Sequence, residues 1–200
     1  MPSIGSDTLS SLDPRVPLVL SVHELSRRPG TSRAVARSVP APADLGIELL
    51  GVPEGSPIDL DLRLESVMEG VLVSGTAHAR VVGECARCLQ ELDLEFDVDL
   101  QELYAYPESD AEYDEAGRVE EDLIDLEPLL RDAVVLALPF RPLCTEDCPG
   151  LCPDCGVRLA EYPAHVHDEE ADPRWAVLAA LLPTQTDDAR PGTTPGPDKE

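Results

Sequence analysis

Aromatic residues and lysine are scarce in this 200-residue chain. Phe, Trp and Tyr together make up 4% of it, so its core must be aliphatic, and a hydrophobic content of 42% supplies the Leu and Val to build one. Lys199 is the one lysine, and the other basic residues are arginines. Fifteen basic residues face 40 acidic ones, for a formal net charge of -25. A field of that sign repels phosphate backbones and argues against nucleic-acid binding through counterion release. It suits a basic protein partner, with simple solubility as the plainer reading. Long hydrophobic runs are missing too. The longest, residues 134–138 and 175–182, fall far short of the roughly 20 residues a membrane span needs. Residues 1–13 are polar, without a basic start followed by an apolar run, so no secretory signal is expected and the expected compartment is the cytoplasm. In that reducing setting, six cysteines read as metal ligands or free thiols rather than disulfides.

Along the chain, residues 1–14 read as a flexible leader, 15–182 as a single domain, and 183–200 as a disordered tail without apolar periodicity. Residues 16–22 (VPLVLSV) read as a short strand. Residues 26–42 are rich in Arg, Ser and Pro and read as a loop. Arg27, Arg28, Arg33 and Arg37 are available there to meet phosphate or the protein's own acidic surface. From Ile58 the period becomes two. Ile58, Leu60, Leu62 and Leu64 alternate with Asp59, Asp61, Arg63 and Glu65, and Leu92, Leu94, Phe96, Val98 and Leu100 alternate with Asp93, Glu95, Asp97 and Asp99. Successive side chains on a strand point to opposite faces, so this pattern predicts one apolar face and one anionic face. Asp125 and Pro128 mark a helix start, Leu126, Leu129, Leu130, Ala133, Val134 and Ala137 recur at helical spacing, and Pro139 ends the run. Asp172-Pro173 marks a second, short C-terminal helix. The expected fold is α+β: mainly an antiparallel sheet or open barrel, with one long helix, a cysteine-rich knuckle at 144–156 and the short C-terminal helix.

All six cysteines fall in two clusters, Cys85-x2-Cys88 and Cys144-x3-Cys148-x3-Cys152-x2-Cys155. Scattered core thiols would not group this way. Two cysteines three positions apart reach one ion if the chain turns between them, and zinc takes four such ligands in a tetrahedron. Pro153 shapes such a turn and Gly156 lets the backbone fold beneath it. The spacing predicts a structural zinc on Cys144, Cys148, Cys152 and Cys155. Cys85 and Cys88 are alternative ligands, paired with either half of that set, and His165 and His167 are further candidates, against a reading as exposed loop histidines. A catalytic zinc would keep one position open for water. The chain has no nucleophile elbow, P-loop, dinucleotide fingerprint or HExxH motif, and His23 and His78 have no recognisable partners along the sequence.

Four segments together carry a resemblance: Gly70-Val-Leu-Val-Ser-Gly75, Gly83-Glu-Cys-Ala-Arg-Cys-Leu89, Pro142-Leu-Cys-Thr-Glu-Asp-Cys-Pro-Gly-Leu-Cys-Pro-Asp-Cys-Gly156, and Asp172-Pro-Arg-Trp-Ala-Val-Leu-Ala-Ala-Leu181. The chain resembles the YceD family of large ribosomal RNA subunit accumulation proteins, in its actinobacterial form, over residues 15–182. That resemblance implies a role in synthesis, processing or stability of large-subunit ribosomal RNA, without enzymatic activity. With the charge, it implies a basic ribosomal protein or a pre-ribosomal particle as partner. A zinc-dependent hydrolase acting on precursor RNA is the alternative, and direct RNA contact through Arg27 to Arg37 is a third reading.

Overall fold

The computed structural model describes residues 12–25, 28–109 and 117–167. Residues 1–11 of the expected leader, Arg27, the short helix expected from Asp172 and the expected tail lie outside them. The chain divides into two compact units, Met1–Tyr162 and Pro163–Glu200.

The first unit is built on three long strands: β5 (Pro57–Ser66), β6 (Gly70–Glu84) and β7 (Glu91–Ala105), joined by tight turns. β6 and β7 pair antiparallel over their whole length, from Gly70↔Ala105 to Glu84↔Glu91. β5 lies on the other side of β6, with Ile58 opposite Ala79 and Ser66 opposite Val71. The alternation read from the sequence is what the strands use. Ile58, Leu60, Leu62 and Leu64 are buried on one face, with Val71, Val73, Ala77, Ala79 and Val81 of β6 and Val98 and Leu100 of β7. Leu94 departs from the pattern at 45% exposed, and Phe96 is half-buried, although Leu92 at the start of the same strand is buried.

A fourth long strand, β2 (Ser32–Pro40), pairs with β5 along all nine of its residues. The segment expected to be a loop is therefore mostly an edge strand. Its composition hides this because its outward side chains are small: Ser32, Ala34, Ala36 and Ser38 sit opposite Glu65, Arg63, Asp61 and Asp59. Its other face carries Arg33, Val35, Arg37 and Val39 opposite Leu64, Leu62, Leu60 and Ile58. Arg37 is half-buried there and Arg33 pairs with Glu24 at 3.2 Å, so these arginines sit on a strand rather than on a mobile basic loop.

Shorter strands complete the sheet. β3 (Leu45–Gly46) pairs with β4 (Leu50–Val52), β4 adds to the far end of β6, and β8 (Gly117–Arg118) runs parallel to the end of β7. Among the described residues the sheet is open, not a closed barrel. A second, two-stranded sheet pairs β1 (Val19–Ser21) with β9 (Leu123–Asp125). The one α-helix among the described residues is α1 (Glu127–Ala137). Pro128 occupies its first turn, where a missing N–H costs nothing, and the Asp125 carboxylate accepts the Glu127 N–H at 2.9 Å. Leu130, Val134 and Leu138 bury one side of α1 against β7 and β3, closing an aliphatic core over the sheet. No described helix is long and apolar enough to cross a membrane.

Leu62 is 1% exposed at the centre of this core. Truncating Leu62 to Ala will cost about 2–5 kcal/mol of stability, through lost burial plus the cavity left behind, as read by denaturant unfolding.

Candidate metal centre

The long ladder of β6 and β7 ends in a six-residue turn, residues 85–90. The Cys85 N–H donates to the Gln90 carbonyl at 2.8 Å, and the Leu89 N–H returns to the Cys85 carbonyl at 3.0 Å. Leu89 takes a left-handed conformation, φ 55°, to close it. Cys85 and Cys88 are thereby presented at the end of the sheet, 0% and 2% exposed.

The segment after α1 comes to meet them. Ala86 N–H donates to the Pro142 carbonyl at 2.8 Å, and Arg87 Nη1 donates to the Cys148 carbonyl at 2.8 Å. Arg158 binds the turn from the other side, with Nε 3.1 Å from the Cys88 carbonyl and Nη2 3.2 Å from that of Leu89. Gly150 passes close to the Arg87 carbonyl at φ 81°, a conformation and an approach that a side chain would oppose.

These contacts bring four sulfurs together. Cys85 Sγ lies 3.8 Å from Cys148 Sγ and Cys88 Sγ lies 3.6 Å from Cys144 Sγ, and all four sulfurs fall within 4.8 Å of one another. A tetrahedral zinc with sulfur ligands at about 2.3 Å has sulfur–sulfur edges of about 3.8 Å. A disulfide would need about 2.05 Å, and none of the six cysteines is so bonded. Three of the four are buried and Cys144 is half-buried. The donor set and its spacing fit a tetrahedral, thiolate-binding cation.

The electrostatics set the thiols of the cluster apart from one another. Burial pushes the Cys85 thiol up, but the backbone amides of Arg87, Cys144 and Cys88, with the Cys88 sulfur, outweigh it and bring it down to about 6. At Cys148 burial wins over the Gly150 amide, the other three sulfurs add to it, and the thiol is pushed up to about 12. At Cys88 the Gln90 amide pulls the thiol down, yet burial and the Cys85 and Cys144 sulfurs leave it raised. Thiols bind a cation as thiolates, so metal binding releases their protons. A divalent ion displaces those protons, so metal affinity rises with pH.

The four cysteines expected from spacing are divided in the structure. Cys144 and Cys148 lie with Cys85 and Cys88, the arrangement the sequence allowed as an alternative. Cys152 is buried and Cys155 exposed on a separate turn closed by the Leu151↔Arg158 bridge. The physical reason is the β6–β7 ladder, which brings Cys85 to Cys148 across 63 residues and Cys88 to Cys144 across 56, in competition with neighbours along the chain. In the second unit, His165 and His167 have their Nε2 atoms 2.9 Å apart and their rings edge to face.

The outer face of the sheet carries a dense set of carboxylates. Its rows read Ser38–Asp59–His78–Asp97 and Ala36–Asp61–Thr76–Asp99 across β2, β5, β6 and β7, with Asp93 and Glu95 beyond. His78, partnerless by sequence, is held by Asp97 at 2.8 Å and Glu95 at 3.1 Å, and Arg80 donates to Asp93 at 2.6 Å. The bond to Asp97 raises the His78 pKa, desolvation opposes it, and the charges of Asp97, Glu95 and Asp59 leave the value raised. A raised histidine value stabilises the fold fully below the ordinary 6.5, and this is lost as pH climbs through the folded-state value. His78→Asn will therefore lower the melting temperature in mildly acidic buffer and leave it nearly unchanged at pH 8. The exposure of the site keeps the effect small.

The family model described as large ribosomal RNA subunit accumulation protein YceD matches residues 73–182, which include both cysteine clusters. An uncharacterised protein of Mycobacterium tuberculosis is 50% identical over 178 residues, covering 87% of this chain and 86% of its own length. One from Mycobacterium leprae is 46% identical over 170 residues, covering 83% and 78%. The Bacillus subtilis protein YlbN, also uncharacterised, is 26% identical over 129 residues, covering 64% and 75%. No solved structure matches the chain.

Proposed function

The chain belongs to the YceD family of large ribosomal RNA subunit accumulation proteins, and from that membership we propose a non-enzymatic ribosome-biogenesis factor that works by docking in the cytoplasm. Its body offers an anionic sheet face to a basic ribosomal protein or to a pre-ribosomal particle carrying one. A zinc ion on Cys85, Cys88, Cys144 and Cys148 pins the C-terminal segment to the end of the sheet, so that a second surface is held in fixed relation to the first.

The observation that carries this reading is the pairing of charge with architecture. The carboxylates of Asp59, Asp61, Asp93, Glu95, Asp97 and Asp99 share one exposed sheet face because the strand period puts them there, and two cations, Arg63 and Arg80, with the imidazole of His78, interrupt it. Such a face attracts basic protein and repels naked RNA. The metal reading speaks against the hydrolase alternative. Four sulfurs fill a tetrahedron and leave no position for an activated water. Retention of particles from a lysate on immobilised protein, at low and at moderate salt, tests the reading. Large-subunit precursor particles or their basic proteins should be held at low salt and released as salt rises. Retention of neither, at any salt, would count decisively against it.

A further inference from the structure

Cys152 and Cys155 lie outside the quartet, and the turn that carries them repeats the geometry of the turn at the sheet end. In the first turn the Cys85 N–H bonds the carbonyl five residues on, at Gln90, and the N–H four residues on, at Leu89, bonds the Cys85 carbonyl. In the second the Cys152 N–H bonds the Val157 carbonyl at 2.8 Å, again five residues on, and the Gly156 N–H bonds the Cys152 carbonyl at 2.9 Å, again four residues on. The closing residue is left-handed in both, Leu89 at φ 55° and Gly156 at φ 73°. Both turns thus hold a Cys-x-x-Cys pair in the same hydrogen-bonded loop, and in the first that loop presents two sulfurs to a common centre.

We propose that the Cys152–Cys155 turn holds a second metal ion, a thiophilic divalent cation such as zinc. It would be bound by these two thiolates and completed by nitrogen or oxygen donors, because the other four sulfurs are committed elsewhere. Cys152 is buried and Cys155 exposed, so the site has a fixed inner ligand and an open side for the ion to enter. Its place is also favourable. Arg158, two residues past Gly156, bonds the Cys88 and Leu89 carbonyls, so ordering the second turn tightens the frame of the first.

This inference rests on the quartet being a metal centre, and the experiment separates the two claims. The full chain is loaded with zinc, and both zinc content and the sulfur count at the zinc absorption edge are measured. Two equivalents per chain, averaging roughly three sulfurs each, are expected for one centre of four thiolates and one of two. Cys152→Ser should leave one equivalent with four sulfurs, and Cys88→Ser should leave one with about two. Replacing His165 and His167 together with Asn separates the donor types: loss of the second equivalent supports imidazole donors, and its retention supports oxygen donors. A single equivalent in the unmodified chain, lost in Cys88→Ser and kept in Cys152→Ser, would overturn the second centre and leave the quartet standing. A single equivalent lost in Cys152→Ser and kept in Cys85→Ser would place one ion on Cys144, Cys148, Cys152 and Cys155 and overturn both.

Discussion

Cys88→Ser will remove the ion bound at the sheet end and cost the folded protein about 4 kcal/mol when free metal stands roughly a thousandfold above its dissociation constant. The size follows from linkage. A cation that binds only the folded chain stabilises it by its binding free energy at the prevailing concentration, and a serine in place of one thiolate withdraws that contribution. Cys88 is a sensitive position because it is 2% exposed and 3.6 Å from the Cys144 sulfur, so no solvent ligand can replace it easily. Denaturant unfolding of both proteins in excess zinc reads the difference. The same comparison after chelation should bring the two curves together, because the difference is then only that between a thiol and a hydroxyl. Curves that already coincide in excess zinc would contradict the assignment.

The second large effect concerns the partner. Replacing Asp59, Asp61, Asp97 and Asp99 with Asn will weaken capture of basic large-subunit proteins by at least about tenfold, equivalent to roughly 1.4 kcal/mol, and will flatten the dependence of capture on salt. The four residues occupy two adjacent rows of one exposed face, flanking His78 and Thr76. Asn keeps their shape while removing four of the charges that make the face anionic. The fold should be unharmed or slightly firmer, since like charges on neighbouring strands oppose one another. Binding measured across a salt series separates the two readings of the charge. If the acidic face serves only solubility, capture will not change and the variant will merely be less soluble.

Much of this architecture was legible because it rests on strict patterns. The alternation in β5 and β7 announced both the strands and the side facing water, since a shift of one residue would place Leu60 or Leu100 in solvent and Asp59 or Asp99 in the core. Pro128, Asp125 and Pro139 bracketed α1 for equally local reasons. β2 was not legible, because an edge strand with Ser and Ala outward and Arg on its other face has the composition of a loop. Its structure comes from β5, which supplies the partner for every residue from Ser32 to Pro40. The cysteines fall between these cases. Their clustering pointed to metal binding, but spacing alone favours ligands close in sequence. What joins Cys85 to Cys148 is the 15-residue ladder of β6 and β7 together with the grip of Arg87 and Arg158 on backbone carbonyls. The partners of His78 were invisible for the same reason: Asp97 is 19 residues away in sequence and directly opposite in register.

In the proposed centre one physical link, a cation, ties the turn of the long hairpin to the chain beyond α1. Hydrogen exchange at single-amide resolution, before and after chelation, measures that link directly. The Ala86 amide, bonded to Pro142, and the Cys148 amide, bonded to Thr145, should lose most of their protection when metal is withdrawn, while amides in the β5–β6 ladder keep theirs. Unchanged protection at Ala86 and Cys148 in a fully chelated sample would mean that the two segments hold together without an ion, and the central claim would fail.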